Sequence, residues 1–166
     1  MLMLNRDVES IFLQPGSLAI ESFRPATLNT LLGSCVSFVL VSKQHQLVVV
    51  SHMLLPTTEK PNDDEPAKYV DKTFSLVRQY LKRFSISEDC VEIKLFGGGE
   101  MFKTSCSETV GMRNIEMSHK LIDDYGFRLI ARDVGGPYYR RVQVDLKDGS
   151  CRVDRFHVAL SSRRAT

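Results

Sequence analysis

The sequence predicts a mixed α/β fold with a mainly antiparallel sheet or sandwich core and two principal helices packed outside. Three observations carry this. Short Val-rich runs bounded by turn signals outnumber helical stretches. Apolar residues recur at three- and four-residue steps in two segments, which are the expected helices. Strands and helices do not alternate regularly, which argues against a doubly wound parallel sheet. At 166 residues the chain reads as one domain, 1–166, long enough for a substantial core.

Residues 8–23 read as one or two short strands interrupted by the turn pair Pro15-Gly16. Residues 24–35 are expected to form a loop or short helical turn leading into Gly33-Ser34-Cys35. Residues 36–41 and 47–52 read as Val-rich strands, too short for helices, joined as a hairpin around 43–46. The stretch 56–66, rich in proline and acidic residues, is expected to be loop. Tyr69, Val70, Thr73, Phe74, Val77, Tyr80, Leu81 and Phe84 then mark an amphipathic helix over roughly 67–84, with Lys68, Lys72, Arg78 and Lys82 mostly outside.

Residues 91–96 form an expected buried strand ending in Gly97-Gly98-Gly99. No Lys-Ser/Thr follows as in a P-loop, so a close-packed turn is favoured over a phosphate cradle. A second helix, about 112–125, turns Ile115, Ser118, Leu121, Ile122 and Tyr125 inward and stops at Gly126. Residues 127–133 read as a strand running into Gly135-Gly136-Pro137. The last two strands, 142–146 and 151–158, flank the hairpin signal Asp148-Gly149.

Composition narrows the function. Hydrophobic content of 43% and charged content of 25% are those of a globular protein. The net charge of +2, with basic residues dispersed, does not suggest nucleic acid, and Arg163-Arg164 reads as a solvated tail. No apolar run approaches the roughly 18 residues that would suggest membrane insertion. Residues 1–7 lack the basic region and cleavage site of an export signal, so a cytoplasmic location is expected. Cys35, Cys90, Cys106 and Cys151 form no C-x-x-C pair, which argues against a compact zinc site; free thiols are expected.

The chemistry concentrates at Thr30-Leu31-Leu32-Gly33-Ser34-Cys35 and at His52. If the two Val-rich runs pair as a hairpin, their open ends bring Cys35 and His52 side by side. A thiol needs a nearby base or positive field to become a nucleophile. Cys106, in a polar loop, is the one serious rival thiol; Cys90 and Cys151 read as structural. Taken singly, a cysteine before an apolar strand is more often a small buried hydrophobe, and a lone histidine more often structural. His45, at the hairpin tip, and His119 are expected at the surface, and Asp123-Asp124 on a solvated helix face. His157 has no identifiable partner in the sequence.

Leu32-Gly33-Ser34-Cys35-Val36 followed by Ser51-His52-Met53-Leu54-Leu55-Pro56 resembles the nucleophile and histidine motifs of the CheD family of bacterial chemoreceptor glutamine deamidases. Tyr69-Val70-Asp71, Lys94-Leu95-Phe96-Gly97-Gly98-Gly99-Glu100-Met101-Phe102, Gly111-Met112-Arg113-Asn114 and Asp133-Val134-Gly135-Gly136 are similar to further family motifs, in the family's order. The resemblance implies a catalytic set of Cys35, His52 and a threonine. Thr30 is the choice and Thr27 the fallback, since the position some members use holds Asn29 here. After the late glycine pair stands Pro137-Tyr138-Tyr139-Arg140-Arg141, where the family tends to have glycine and arginine.

The same resemblance implies hydrolysis of receptor glutamines to glutamates through a thioester, with backbone N–H groups around Gly33 and Ser34 holding the oxyanion. It implies no metal and no organic cofactor. Its implied partners are the cytoplasmic helices of methyl-accepting chemoreceptors and, where one is encoded, a CheC-type phosphatase. The alternatives are an adaptor that docks on receptor or phosphatase with little catalysis, and a thiol amidase or transamidase acting on another protein. His52 is expected to lower the Cys35 pKa and make it the fastest-alkylated of the four thiols.

Overall fold

The computed structural model describes residues 7–60, 63–102 and 107–158. Among these the strands are β1 (Glu9–Phe12), β2 (Leu18–Ser22), β3 (Ala26–Leu32), β4 (Val36–Ser42), β5 (Leu47–Ser51), β6 (Glu92–Gly97), β7 (Arg128–Val134), β8 (Tyr138–Asp145) and β9 (Cys151–His157). Two α-helices, α1 (Val70–Arg83) and α2 (Val110–Tyr125), and two short 3₁₀ turns, Pro66–Lys68 and Glu88–Cys90, complete the order. The strands form one sheet ordered β1-β3-β8-β9 and another ordered β2-β5-β4-β6-β7. The pairs β1–β3 and β6–β7 are parallel and the remaining neighbours antiparallel, as a mainly antiparallel mixed fold requires.

The layers follow from side-chain alternation. All of β4 is buried, so both of its faces must be covered. On one face Val36, Phe38 and Leu40 join Val49, Ile93 and Leu95 beneath the apolar stripe of α1 (Val70, Phe74, Val77, Leu81) and Ile122 of α2. Phe38 and Phe74 meet there with ring centroids 4.9 Å apart. On the other face Val39, Val41, Val48 and Val50 pack against Ala26, Leu28, Leu32, Val142 and Val144 of the second sheet. The result is helices on sheet on sheet. Helix α2 stops where Gly126 takes a left-handed φ of 73°.

Three expectations need correction. Residues 24–35 are not loop: 26–32 form β3, parallel to β1 and antiparallel to β8. Its inward residues Ala26, Leu28, Thr30 and Leu32 alternate with the outward Thr27, Asn29 and Leu31, and exposed Leu31 obscures the period-two pattern. Phe84 does not extend the buried stripe of α1, because it lies past the helix end and is exposed. Strand β8 begins at Tyr138, earlier than expected, because Arg140 is an inward, buried strand residue.

Candidate active site

Strands β4 and β5 keep one register from Ser42↔Leu47 to their open end, where Val36 and Met53 pair through N–H···O bonds of 3.0 and 2.8 Å. Cys35 and His52 each precede one member of that pair, so they are diagonal neighbours on a single face. Diagonal neighbours lie roughly 7–8 Å apart at the backbone, within reach of longer side chains. The face is the one between the sheets, and Cys35 packs against the inter-sheet cluster. The backbone of His52 is held on its other edge as well, donating to Ser17 O at 3.0 Å and accepting from Gly16 N–H at 2.8 Å.

Thr30 reaches His52 from the opposite sheet. Its Oγ1 lies 2.7 Å from His52 Nδ1 and donates to Leu13 O at 3.0 Å. Both side chains are buried, Thr30 at 1% and His52 at 2% exposure. The hydroxyl has one proton and the Leu13 carbonyl can only accept, so that proton is committed to Leu13. Nδ1 must therefore carry the hydrogen it donates to Thr30, and Nε2 is left as the basic nitrogen. Thr27, the fallback, points outward with Asn29, which donates to Ser10 Oγ at 3.0 Å. Of the candidate threonines, Thr30 is the one brought to the histidine.

The Gly33–Cys35 turn is pinned by neighbouring backbone. Gly98 N–H donates to Cys35 O at 2.8 Å and Gly99 N–H to Gly33 O at 2.9 Å. Gly97–Gly99 is the close-packed turn expected. A Cβ on Gly97 would stand 2.2 Å from Cys35 O, and one on Gly99 2.0 Å from Tyr138 O. From the first turns of α2, Asn114 Nδ2 donates to Ser34 O at 3.1 Å and to Leu54 O at 2.9 Å. Sequence reasoning assigned no role to Asn114, although it closes the Gly111-Met112-Arg113-Asn114 motif.

Burial dominates the electrostatics. It pushes the Cys35 thiol up, opposed by the residue's own backbone N–H against the sulfur. It also pushes His52 down to about 4. The expected lowering of the Cys35 pKa is thus not found, because removal from water disfavours both charged forms. The resting pair is neutral thiol and neutral imidazole. Cys151, half-buried, is driven to about 11 by loss of water, while Cys90 donates to Gln44 Oε1 at 3.2 Å. Cys106, the rival thiol, lies outside the described residues.

Arg140 is a second feature that sequence reading missed. It is 1% exposed, and its guanidinium binds Asp133 Oδ1 at 3.1 Å and Gly135 O at 2.6 Å, tying β8 to the turn after β7. Among the other histidines, His45 is exposed as expected and contacts Ser42 Oγ, while His157 stacks edge-on against Tyr138. A cleft of ≈ 300 Å³ runs from Ser34 past Met101, Phe102 and Thr109 to Arg113. A larger concavity of ≈ 530 Å³ lies around Phe12, Asn29, Leu31 and Arg141 on the outer face of the four-stranded sheet. The smaller cleft reaches the turn at Ser34, and the larger concavity reaches Thr30.

Comparison with known proteins adds an independent line. The family model for CheD, described as chemotactic sensory transduction, matches residues 54–155. That span begins just after His52 and so does not include Cys35, His52 or Thr30. The protein of Methanococcus maripaludis strain C6 named "Probable chemoreceptor glutamine deamidase CheD" is 33% identical over 76% of this chain and 82% of its own. Proteins of the same name from Thermococcus kodakarensis and Pseudomonas fluorescens are 34% and 30% identical, covering 74% and 84% of this chain and 78% and 81% of theirs.

Proposed function

The chain belongs to the CheD family, and we propose that all of 1–166 acts as one chemoreceptor glutamine deamidase unit with Cys35 as its nucleophile. The observation that carries this reading is the Thr30–His52 contact of 2.7 Å on the face that Cys35 shares. It supports what a thiol hydrolase needs: a base on the face that carries the sulfur, with its tautomer fixed by a third group.

The reaction follows from the protonation states. As the glutamine carboxamide carbon approaches, Cys35 Sγ forms the new C–S bond and its proton passes to His52 Nε2. Because the resting pair is neutral, proton transfer accompanies attack and no preformed ion pair is needed. The carbonyl oxygen becomes an oxyanion beside the Ser34 and Cys35 N–H groups, where each donor is typically worth roughly 3–4 kcal/mol. The tetrahedral species collapses by breaking the C–N bond while His52 returns the proton to the leaving nitrogen, releasing ammonia. Water, deprotonated by His52, then cleaves the thioester, giving glutamate and the free thiol. Throughout, Thr30 accepts from Nδ1 and stabilises the transient imidazolium.

The product adds one negative charge per glutamine to a receptor helix, a change able to bias a two-state signalling bundle through repulsion between neighbouring helices. A CheC-type phosphatase belongs to this reading as a regulatory partner. The test is ammonia release, and a mass gain of about 1 Da per site, from a receptor cytoplasmic fragment incubated with the protein. Cys35→Ala should abolish both. Release that survives the substitution removes Cys35 from the mechanism.

A further inference from the structure

Three successive carbonyls of the turn that carries Cys35, those of Gly33, Ser34 and Cys35, each accept a hydrogen bond. Gly33 O and Cys35 O are held by backbone donors, Gly99 and Gly98 N–H, and Ser34 O alone is held by a side chain, Asn114 Nδ2 at 3.1 Å. In a trans peptide the N–H points opposite to the C=O of the same plane. Binding Ser34 O from α2 therefore turns the Cys35 N–H of the same peptide away from Asn114 and that helix.

We infer that Asn114 is a positioning residue for the oxyanion. It sets the rotation of the peptide between Ser34 and Cys35, and so the aim of the Cys35 N–H. The second hydrogen of the same amide goes to Leu54 O at 2.9 Å, so one side chain also spans from the nucleophile turn to the segment that follows His52. The amide has a single possible orientation, since both neighbours are carbonyl oxygens and only its NH₂ can donate to them. Asn114 is 0% exposed, and its Oδ1 is buried without a partner among the described residues. A buried acceptor left unpaired works against stability, which marks this residue as one kept for what its hydrogens hold. Its α2 backbone is fixed in turn by Ser118 Oγ, which donates to Asn114 O at 2.7 Å.

The inference rests on the deamidase reading, and the experiment separates the two. The full chain is compared with Asn114→Asp, near-isosteric but with one donor at most, and Asn114→Gln, which keeps both. Deamidation of a receptor fragment is measured together with inhibition by a peptide in which an aldehyde replaces the glutamine side-chain carboxamide, so that thiol addition places an oxyanion where the substrate would. The third readout is the iodoacetamide alkylation rate of Cys35, a displacement that forms no oxyanion. Asn114→Asp is expected to lower kcat by about 10²-fold with KM within about twofold, the signature of an interaction made in the transition state. Aldehyde affinity should weaken by the same factor, while alkylation stays within about threefold, and Asn114→Gln should recover part of the loss. A parallel fall in alkylation and deamidation, an unchanged kcat, or failure of both variants to fold by near-ultraviolet circular dichroism would overturn the inference. Ammonia release surviving Cys35→Ala would instead overturn the deamidase reading, and the inference with it.

Discussion

Replacing Thr30 by valine removes one oxygen atom at nearly constant volume and tests the orientation of His52 directly. Two hydrogen bonds disappear, 2.7 Å to His52 Nδ1 and 3.0 Å to Leu13 O. Neither partner can turn to water, since His52 is 2% and Leu13 6% exposed. Each buried group left unpaired costs about 1–3 kcal/mol, so Thr30→Val should unfold at a clearly lower denaturant concentration. Thr30→Ser keeps both bonds and loses one methyl group, a loss of about 1 kcal/mol. In activity, valine frees the imidazole to place its hydrogen on either nitrogen and withdraws the acceptor that steadies the imidazolium. General acid–base catalysis is worth typically 10²–10⁴-fold, and a fall in kcat of about 10²-fold is expected, with KM little changed. The assay is ammonia release from a receptor fragment, with urea unfolding of the same samples. Wild-type kcat in Thr30→Val, with the protein folded, would refute the assignment of Thr30 as the orienting group.

Further predictions concern protonation and the buried arginine. His52 binds a proton near pH 4 when folded against an ordinary 6.5, so between these values the unfolded chain holds more protons and stability falls as pH is lowered, by about 3 kcal/mol in all. Urea titrations from pH 7 to 4 should therefore give a shallower pH dependence in His52→Gln than in the wild type, and equal slopes would contradict a neutral buried imidazole. In free Cys35, with its thiol raised by burial, alkylation should climb with pH beyond the usual thiol range, and Cys151, near 11, should lag behind it. Peptide mapping after timed labelling reads both, and full reactivity of Cys35 at pH 7 would show a preformed thiolate. Arg140→Lys should lower stability by about 2–4 kcal/mol, because an ammonium cannot reproduce the forked contacts to Asp133 and the Gly135 carbonyl. A thermal midpoint unchanged from the wild type would disprove that role.

What could be read from the chain was local. The β4–β5 hairpin, the stripe of α1 and the stop at Gly126 follow from periodicity and a single glycine, and Cys35 and His52 follow from the hairpin's closed register. Strand β3 escaped because its alternating residues are mixed: the inward set holds a polar Thr30 and the outward set an apolar Leu31. Asn114 and Arg140 escaped for another reason. Their partners are backbone oxygens supplied by distant parts of the chain, and a carbonyl carries no mark in the sequence of what it will accept from. The neutral state of the thiol and imidazole was likewise hidden, since burial depends on the second sheet and not on the residues flanking either group.

The cysteine and the histidine ride on one sheet, and the threonine that steadies the histidine rides on the other. The proposed catalytic set is thus split across the seam of the sandwich. A chain newly made, or one loosened by heat, in which the layers have not yet closed would own a sulfur without a tuned imidazole. Under the proposed mechanism, turnover is a gauge of complete assembly, and a half-formed molecule is kept from nibbling at the side-chain amides of bystanders.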